Sequence, residues 1–338
     1  TPIVIAALGF AGAEVRPLAA GEYFPPPETE GGWRSLVGLN TTTATAKEKA
    51  AIREKAGLDW DKLLEAWKYS SSFGTRNSVV IIRHGWIAGE WRNYDQALGI
   101  ASSTKSITGL VMARVFDASD RGLPGKKIGI DGFAWQYLPA SWSEAEPARR
   151  KIRIRHLLTM TSGLTPYDGP YKGVDYAPVI FAQKVEVPPG TVWAYASAPV
   201  DLLSYVVEDV TGRKLGDYFN AEIGSAIGCA PVHFPEFNGH SGGSGGPGGG
   251  ARFVSRELAR VGYLLLQGGA WERNGRRGQV VSRARVAEFT SWAPSLKDMP
   301  GEHPRNSAAE PRPPGYYGLL FWTNHTQQSL GRAVPRHA

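Results

Sequence analysis

The sequence predicts an α+β fold, with a sheet assembled from both ends of the chain and a helical lobe inserted between them. Three observations predict it. A strand–turn–strand pattern comes early, at residues 78–92. A succession of helical segments fills the middle. A further helix and strand pattern return near the C-terminus.

The elements follow in order. Residues 14–45 are rich in Pro, Gly and Thr and read as an irregular lead-in. From Thr45 to Ser72, charged and apolar residues recur at helical spacing, with Leu63, Leu64 and Trp67 on one side. "SVVIIRHGWIAGEWR" gives a β-branched run, a His-Gly turn and a second strand, the signal of a hairpin. An apolar helix then runs from Ser102 to Asp120–Gly122. "KKIGIDGFAWQYLPASW" is short and mixed. "IRIRHLLTMTSGL" reads as a short helix stopping at Gly163, with the loop "TPYDGPYKGVDY" after it. "APVDLLSYVVEDVTG" is a helix with Gly212 as its stop signal. "GHSGGSGGPGGG", residues 239–250, is a flexible loop by composition. "SRELARVGYLLLQGG" is amphipathic, and "GYYGLLFWTN" reads as a strand. No internal repeat is visible.

Composition narrows the partners. The chain has 338 residues, 42% of them hydrophobic, which suffices for one large domain or two small ones. The net charge of +7 comes from scattered basic residues with short clusters at Arg149–Arg155 and Arg273–Arg285. Without zinc-finger spacing or an RNP-like motif, this reads as a solvated basic face, and no nucleic-acid partner is expected. The single cysteine, Cys229, excludes an intrachain disulfide and a cysteine-based metal site. The histidines lack metal-ligand spacing; His84, His156 and His240 read as turn or surface residues. "GGSGGPGGG" lacks the Gly-Lys-Ser/Thr ending of a phosphate loop, so neither metal nor cofactor is expected. "PIVIAALGFAGAEV" reads either as a signal-peptide tail or as an N-terminal strand, and is too short to span a bilayer. Export to the periplasm or medium is the expectation, with a cytoplasmic location as the alternative and no stable membrane insertion.

The chemistry starts at "ASSTKSITGL". A helix beginning at Ser102 places Lys105 one turn on, on the same face. A serine hydroxyl is a poor nucleophile until its proton is removed. A lysine set among Ile107, Leu110 and Val111 loses some preference for its charged form and becomes able to hold that proton. The helix N-terminus favours developing negative charge. This is the one Ser-x-x-Lys in the chain; standing alone, it also fits an N-cap serine beside a surface lysine. In "VWAYASAPVDLL", Tyr195 lies just ahead of a helix whose expected N-cap is Ser197. A phenol near a cationic lysine gives up its proton more readily and serves as base, then acid. The competing reading is a half-buried tyrosine with a satisfied hydroxyl.

Ser102-x-x-Lys105 followed by Tyr195-x-Ser197 resembles the serine hydrolases related to β-lactamases and penicillin-binding proteins. The flanking stretches resemble the class C-like branch, which holds class C β-lactamases, D-amino-acid peptidases, carboxylesterases and 6-aminohexanoate-dimer hydrolases. The resemblance covers roughly residues 33–325. It implies an antiparallel sheet flanked by helices with an inserted all-helical lobe. It implies Ser102 as acylated nucleophile, Lys105 as its proton partner and Tyr195 as acid/base. Ser197 stands where the family commonly has Asn, which weakens amide recognition and tilts the expectation away from a true β-lactamase. The family's third motif is expected after "GYYGLLFWTN", so the chain is expected to be C-terminally incomplete. "GHSGG", with His240 and Gly242, imitates that motif in letters and reads as a loop near the cleft. Tyr171, on the loop between motifs, and Trp193 are further candidates for substrate contact.

The domains expected are an irregular lead-in over 1–32 and a single hydrolase domain over 33–338. Within it, 33–98 plus 250–338 make the α/β lobe and about 99–249 the helical lobe. The function expected is hydrolysis of a small ester or amide through an acyl-enzyme on Ser102, in a monomer or homodimer. The alternatives are a β-lactamase or D-Ala-D-Ala-type peptidase, or a non-catalytic relative that binds without chemistry.

Overall fold

The early hairpin forms, and it organises the sheet. The computed structural model describes residues 23–72, 74, 78–92, 95–122, 125–165, 176–237, 239–244, 250–296, 299, 317–323, 328–329 and 332–333. Strand β2 (Val79–Arg83) pairs antiparallel with β3 (Trp86–Trp91), and β1 (Arg34–Ser35) joins β3 in parallel, giving the order β1-β3-β2. His84 and Gly85 both take positive φ (52° and 74°), the backbone a two-residue hairpin loop requires.

Helices α1 (Ala46–Ala51) and α2 (Trp60–Ser71) cover one face, where Ile52, Trp60 and Leu63 meet Val79, Ala88 and Trp91. The single helix expected over 45–72 is broken. Thr45 and Glu48 close a capping box, a π turn spans Ile52–Ala56, and Gly57 leaves the helix at φ 60°. Asp59 then accepts the amides of Asp61 and Lys62 and caps a new start. Helical periodicity continues through the break, so the spacing alone hid it.

The middle of the chain is helical: α3 (Thr104–Asp120), α4 (Ala140–Ala145), α5 (Ile154–Leu158), α6 (Tyr176–Ala182), α7 (Ala198–Thr211) and α8 (Leu215–Phe219), followed later by α9 (Ser255–Leu266) and α10 (Arg283–Thr290). The largest core cluster joins Leu110, Val111 and Phe116 of α3 to Leu202, Leu203 and Val206 of α7. Gly212 caps α7 at φ 69°, as expected. Short pairs tie the parts: β4 (Leu98–Gly99) with β7 (Arg252–Phe253), and the hairpins β5–β6 (Glu236–Phe237, His240–Ser241), β8–β9 (Ala270–Arg273, Arg276–Gln279) and β10–β11 (Gln328–Ser329, Arg332–Ala333).

Helix α9 couples sheet and lobe. Leu258, Val261 and Leu264 enter the large core, while Ala259 and Tyr263 pack with Trp33, Val80 and Ile87 behind the sheet. Its charged residues are used as well. Arg256 grips Glu90 of β3 through two bonds (2.8 and 2.7 Å) and reaches Glu28 at 3.0 Å. Arg260, fully buried, holds Glu28 at 2.7 Å and the carbonyls of Pro25, Pro26 and Ile227. Buried guanidiniums persist when most of their donors are matched, as Nη1 and Nη2 of Arg260 are.

Two sequence expectations are corrected here. Helix α5 stops at Leu158, well before Gly163; Met160 turns left-handed (φ 61°). "GYYGLLFWTN" is no straight strand within its described part. Tyr317 and Trp322 form an isolated bridge around a tight turn with Leu320 at φ 66°. The turn is held by neighbours: Leu319 donates to Phe289, Leu320 to Leu158, and Ser106 Oγ to the Leu320 carbonyl at 2.9 Å. Those contacts are distant in sequence, and strand-like composition carried no trace of them. Among the described residues, no helix is long and apolar enough to cross a membrane.

Candidate active site

The site begins with a strained residue. Ala101 sits at φ 46°, a left-handed conformation costing about 1–2 kcal/mol for a residue with a Cβ. It opens a short 3-10 turn, Ala101–Ser103, that runs into α3. Both flanks are pinned to one residue: the Ile100 amide donates to the Ala251 carbonyl (2.9 Å), and the Ala251 amide to Thr104 Oγ1 (3.0 Å). The turn leaves Ser102 exposed while Thr104 and Lys105 are buried.

Lys105 is the hub. It is 1% exposed, and its Nζ donates to Ser102 Oγ (3.1 Å), Ser197 Oγ (3.1 Å) and the carbonyl of Ser244 (2.6 Å). Two of these acceptors are hydroxyls, able to reverse and donate; the carbonyl is not. Proton exchange therefore has a route toward either serine. Ser197 precedes α7 but caps nothing with its side chain. Ser197 is the N-cap of α7 by position, as expected, but its hydroxyl goes to Lys105, because an ammonium rewards the hydroxyl more than a backbone amide does.

Tyr195 lies beside this hub, with Lys105 Nζ 4.9 Å from its ring centroid. Trp322 stacks on the phenol at 5.5 Å and 27°, while Tyr317 and Trp193 meet it at 6.4 Å each. Trp193 is 4% exposed, so it backs the phenol from the core; Trp322, 46% exposed, is the ring that faces solvent. The support beneath Tyr195 comes from α5 and its exit. The Ala194 amide donates to Met160, Gly190 to Thr161, and Thr161 to His156. His156, expected at the surface, is half-buried, and its Nδ1 accepts the Arg153 amide at 3.2 Å. Burial, then the nearby Arg153 and Arg155, lower its pKa to about 4.

The remaining candidates separate from the hub. His240 pairs with Glu208 (2.6 Å) and packs on Tyr205, with ring centroids 4.0 Å apart. Gly242 donates its amide to Pro235 and lies against the Phe237 ring. Their described contacts are thus with α7 and the β5–β6 hairpin. Tyr171 lies outside the described residues. Sequence reasoning missed Ser244 and Asp201. Asp201, 3% exposed, accepts the amides of Gly243 (2.9 Å) and Ser244 (2.7 Å) and the Ser244 hydroxyl (2.7 Å). The available signal was an aspartate within the apolar face of "APVDLLSYVV", a position that burial tolerates only with partners. No cluster of His, Cys, Asp and Glu suited to a metal ion occurs among the described residues.

Comparison with known proteins places the chain in a family. Residues 77–333 match the family model described as Beta-lactamase. A candidate beta-lactamase from Bacteroides dorei DSM 17855 superposes with TM-score 0.58 at 20% identity, covering 78% of this chain and 77% of that one. A candidate 6-aminohexanoate-dimer hydrolase from Bacillus anthracis gives 0.55 at 18%, covering 75% and 67%. EstCE1, a hydrolase with promiscuous acyltransferase activity, gives 0.50 at 17%, covering 71% and 80%. At these identities the likeness is one of fold. No curated protein matches the chain.

Proposed function

Given that the chain belongs to the Beta-lactamase family of hydrolases, we propose that it hydrolyses a small ester or amide through an acyl-enzyme on Ser102. One observation carries the reading: a lysine 1% exposed lies 3.1 Å from the hydroxyl of an exposed serine one turn before it. In the proposed cycle, Ser102 Oγ attacks the substrate carbonyl as its proton passes to the Lys105–Tyr195 pair. The tetrahedral intermediate collapses and the leaving alcohol or amine takes that proton. Water, activated by the same pair, then attacks the acyl-enzyme and releases the acid, restoring the serine proton.

Two features favour an ester. Ser197 offers a single hydroxyl, already engaged by Lys105, where an amide would read a substrate amide with both donor and acceptor. Trp322 presents an exposed ring beside the phenol, suited to an apolar acyl group. A β-lactamase or D-Ala-D-Ala-type peptidase is the second reading, favoured by the family match itself. Turnover of p-nitrophenyl acetate, nitrocefin and a D-Ala-D-Ala peptide separates the two.

The decisive test is covalent. A fluorophosphonate probe is expected to label the protein at Ser102, with label lost in Ser102→Ala. Labelling that persists in the variant removes the nucleophile. Failure of both label and ester burst in the unmodified protein leaves a non-catalytic binding protein.

A further inference from the structure

Between α3 and α7 lies a dipeptide, Gly243–Ser244, taken from the Gly-rich stretch that composition marked as a flexible loop. Its described environment is the opposite of loose. Both residues are buried. The Gly243 carbonyl accepts Thr108 Oγ1 of α3 at 2.6 Å. A Cβ on Gly243 would lie 2.8 Å from Ser204 Oγ of α7 and 3.2 Å from Thr108 Oγ1, so a larger residue would displace the hydroxyls on both helices. The Ser244 carbonyl ends the crosspiece at Lys105 Nζ, 2.6 Å away.

What holds the crosspiece from the α7 side is Asp201. One carboxylate oxygen takes both consecutive amides and the other takes the Ser244 hydroxyl. A carboxylate only accepts, so it fixes the direction of all three bonds. Two adjacent amides aimed at one anion fix the plane of the peptide between them, and the Ser244 hydroxyl bond to the other oxygen holds the Cα from which the following carbonyl departs. The carboxylate is 3% exposed, with one residue of backbone between it and Lys105 Nζ. A buried ion of this kind costs stability unless its partners repay it, which makes an accidental aspartate here a poor design.

We propose that Asp201 is a positioning residue for the reaction: acting through the Gly243–Ser244 strut, it sets the place of the Lys105 ammonium against Ser102. The inference rests on the acyl-enzyme reading above. It makes no claim that Asp201 touches substrate. It assigns the α7 aspartate and the Gly-rich segment to the same task as the Ser-x-x-Lys turn, from the opposite side of the lysine.

The test is burst kinetics with p-nitrophenyl acetate, in which burst amplitude counts competent sites and burst rate reports acylation per site. Asp201→Ala leaves three donors without their acceptor and lets the carbonyl drift. The expected result is a per-site rate lower by about 10²-fold, the cost of an ångström-scale misplacement, with KM within about twofold. Asp201→Asn keeps an oxygen for the two amides, and the Ser244 hydroxyl turns to accept from its nitrogen. This variant is expected to fold with near-wild-type melting and to recover part of the rate. A merely structural residue would lower amplitude and melting temperature and leave the per-site rate alone. Should Asp201→Ala fold poorly, Asp201→Asn decides: a reduced per-site rate at full amplitude supports the strut, and the wild-type rate overturns it. Absence of both fluorophosphonate labelling and ester turnover in the unmodified protein overturns the Ser102 reading and this one together; a normal burst with unchanged rates in both variants overturns the strut alone.

Discussion

His156 gives the protein an acid-sensitive support under Tyr195. Its ring is half-buried at the start of α5, accepting the Arg153 amide through Nδ1, with Gly190 packed against the other nitrogen. Protonation would turn that acceptor into a donor facing a donor, beside two guanidiniums. The fold therefore binds the neutral ring, with its pKa lowered from 6.5 to about 4, first by burial and then by Arg153 and Arg155. The sign follows from linkage. Above pH 6.5 the ring is neutral folded and unfolded, and stability is full. Between pH 6.5 and 4 the unfolded chain alone takes up the proton, so stability falls as pH falls.

Titration with those two values removes about 2.5 kcal/mol between pH 8 and 4.5, and partial solvent contact screens this to about 1–2 kcal/mol. Carboxylates titrate in the same window, so the measurement is a difference of differences. Urea unfolding at pH 8 and pH 4.5 is compared for wild type and His156→Gln, whose amide oxygen still accepts the Arg153 amide but does not titrate. Wild type is expected to lose about 1–2 kcal/mol more than the variant on acidification. Equal losses refute the reasoning. Because the segment after His156 bonds to Gly190, Ala194 and Leu320, ester turnover by wild type is also expected to fall off at a higher pH than that of the variant.

Glu90, 1% exposed, is gripped twice by Arg256; Glu90→Gln is expected to lower stability by about 2–4 kcal/mol, read as a shift in urea midpoint at constant slope. Trp322→Ala is expected to raise KM for p-nitrophenyl esters of aryl or long acyl chains by about five- to tenfold while changing that for the acetate less than twofold. Equal effects on both esters would show that the ring supports Tyr195 without meeting substrate.

Local rules made much of this protein legible. The 78–92 hairpin follows from β-branched residues around His-Gly, and α7 from its apolar periodicity with Gly212 at the end. Three-residue spacing was enough to bring Ser102 and Lys105 together, since the geometry of one turn does that work. What stayed hidden depends on partners far along the chain. Ser197 sits at the N-cap as read, but the rule sees only the helix behind it and not the lysine 92 residues upstream that takes its hydroxyl. His240 sits in the β5–β6 hairpin and pairs with Glu208 of α7, with Gly242 just after the hairpin, placements that the letters did not convey. The Gly-rich stretch read as flexible; residues 245–249 lie outside the described residues, but Gly243 serves close approach between two helices.

These cases share a cause in the lysine itself. A single ammonium at 1% exposure must collect oxygens, and Lys105 takes them from residues 102, 197 and 244. Apolar contact alone discriminates weakly among packing registers. Leaving that charge one acceptor short would cost about 1–3 kcal/mol or more, which penalises each misaligned packing separately. The lysine proposed to assist Ser102 thus also selects the arrangement in which three distant segments meet around it. Replacing Lys105 is therefore expected to disturb the proposed chemistry and the alignment at once, whereas Ser102→Ala removes the proposed nucleophile and leaves two of the three oxygens in place.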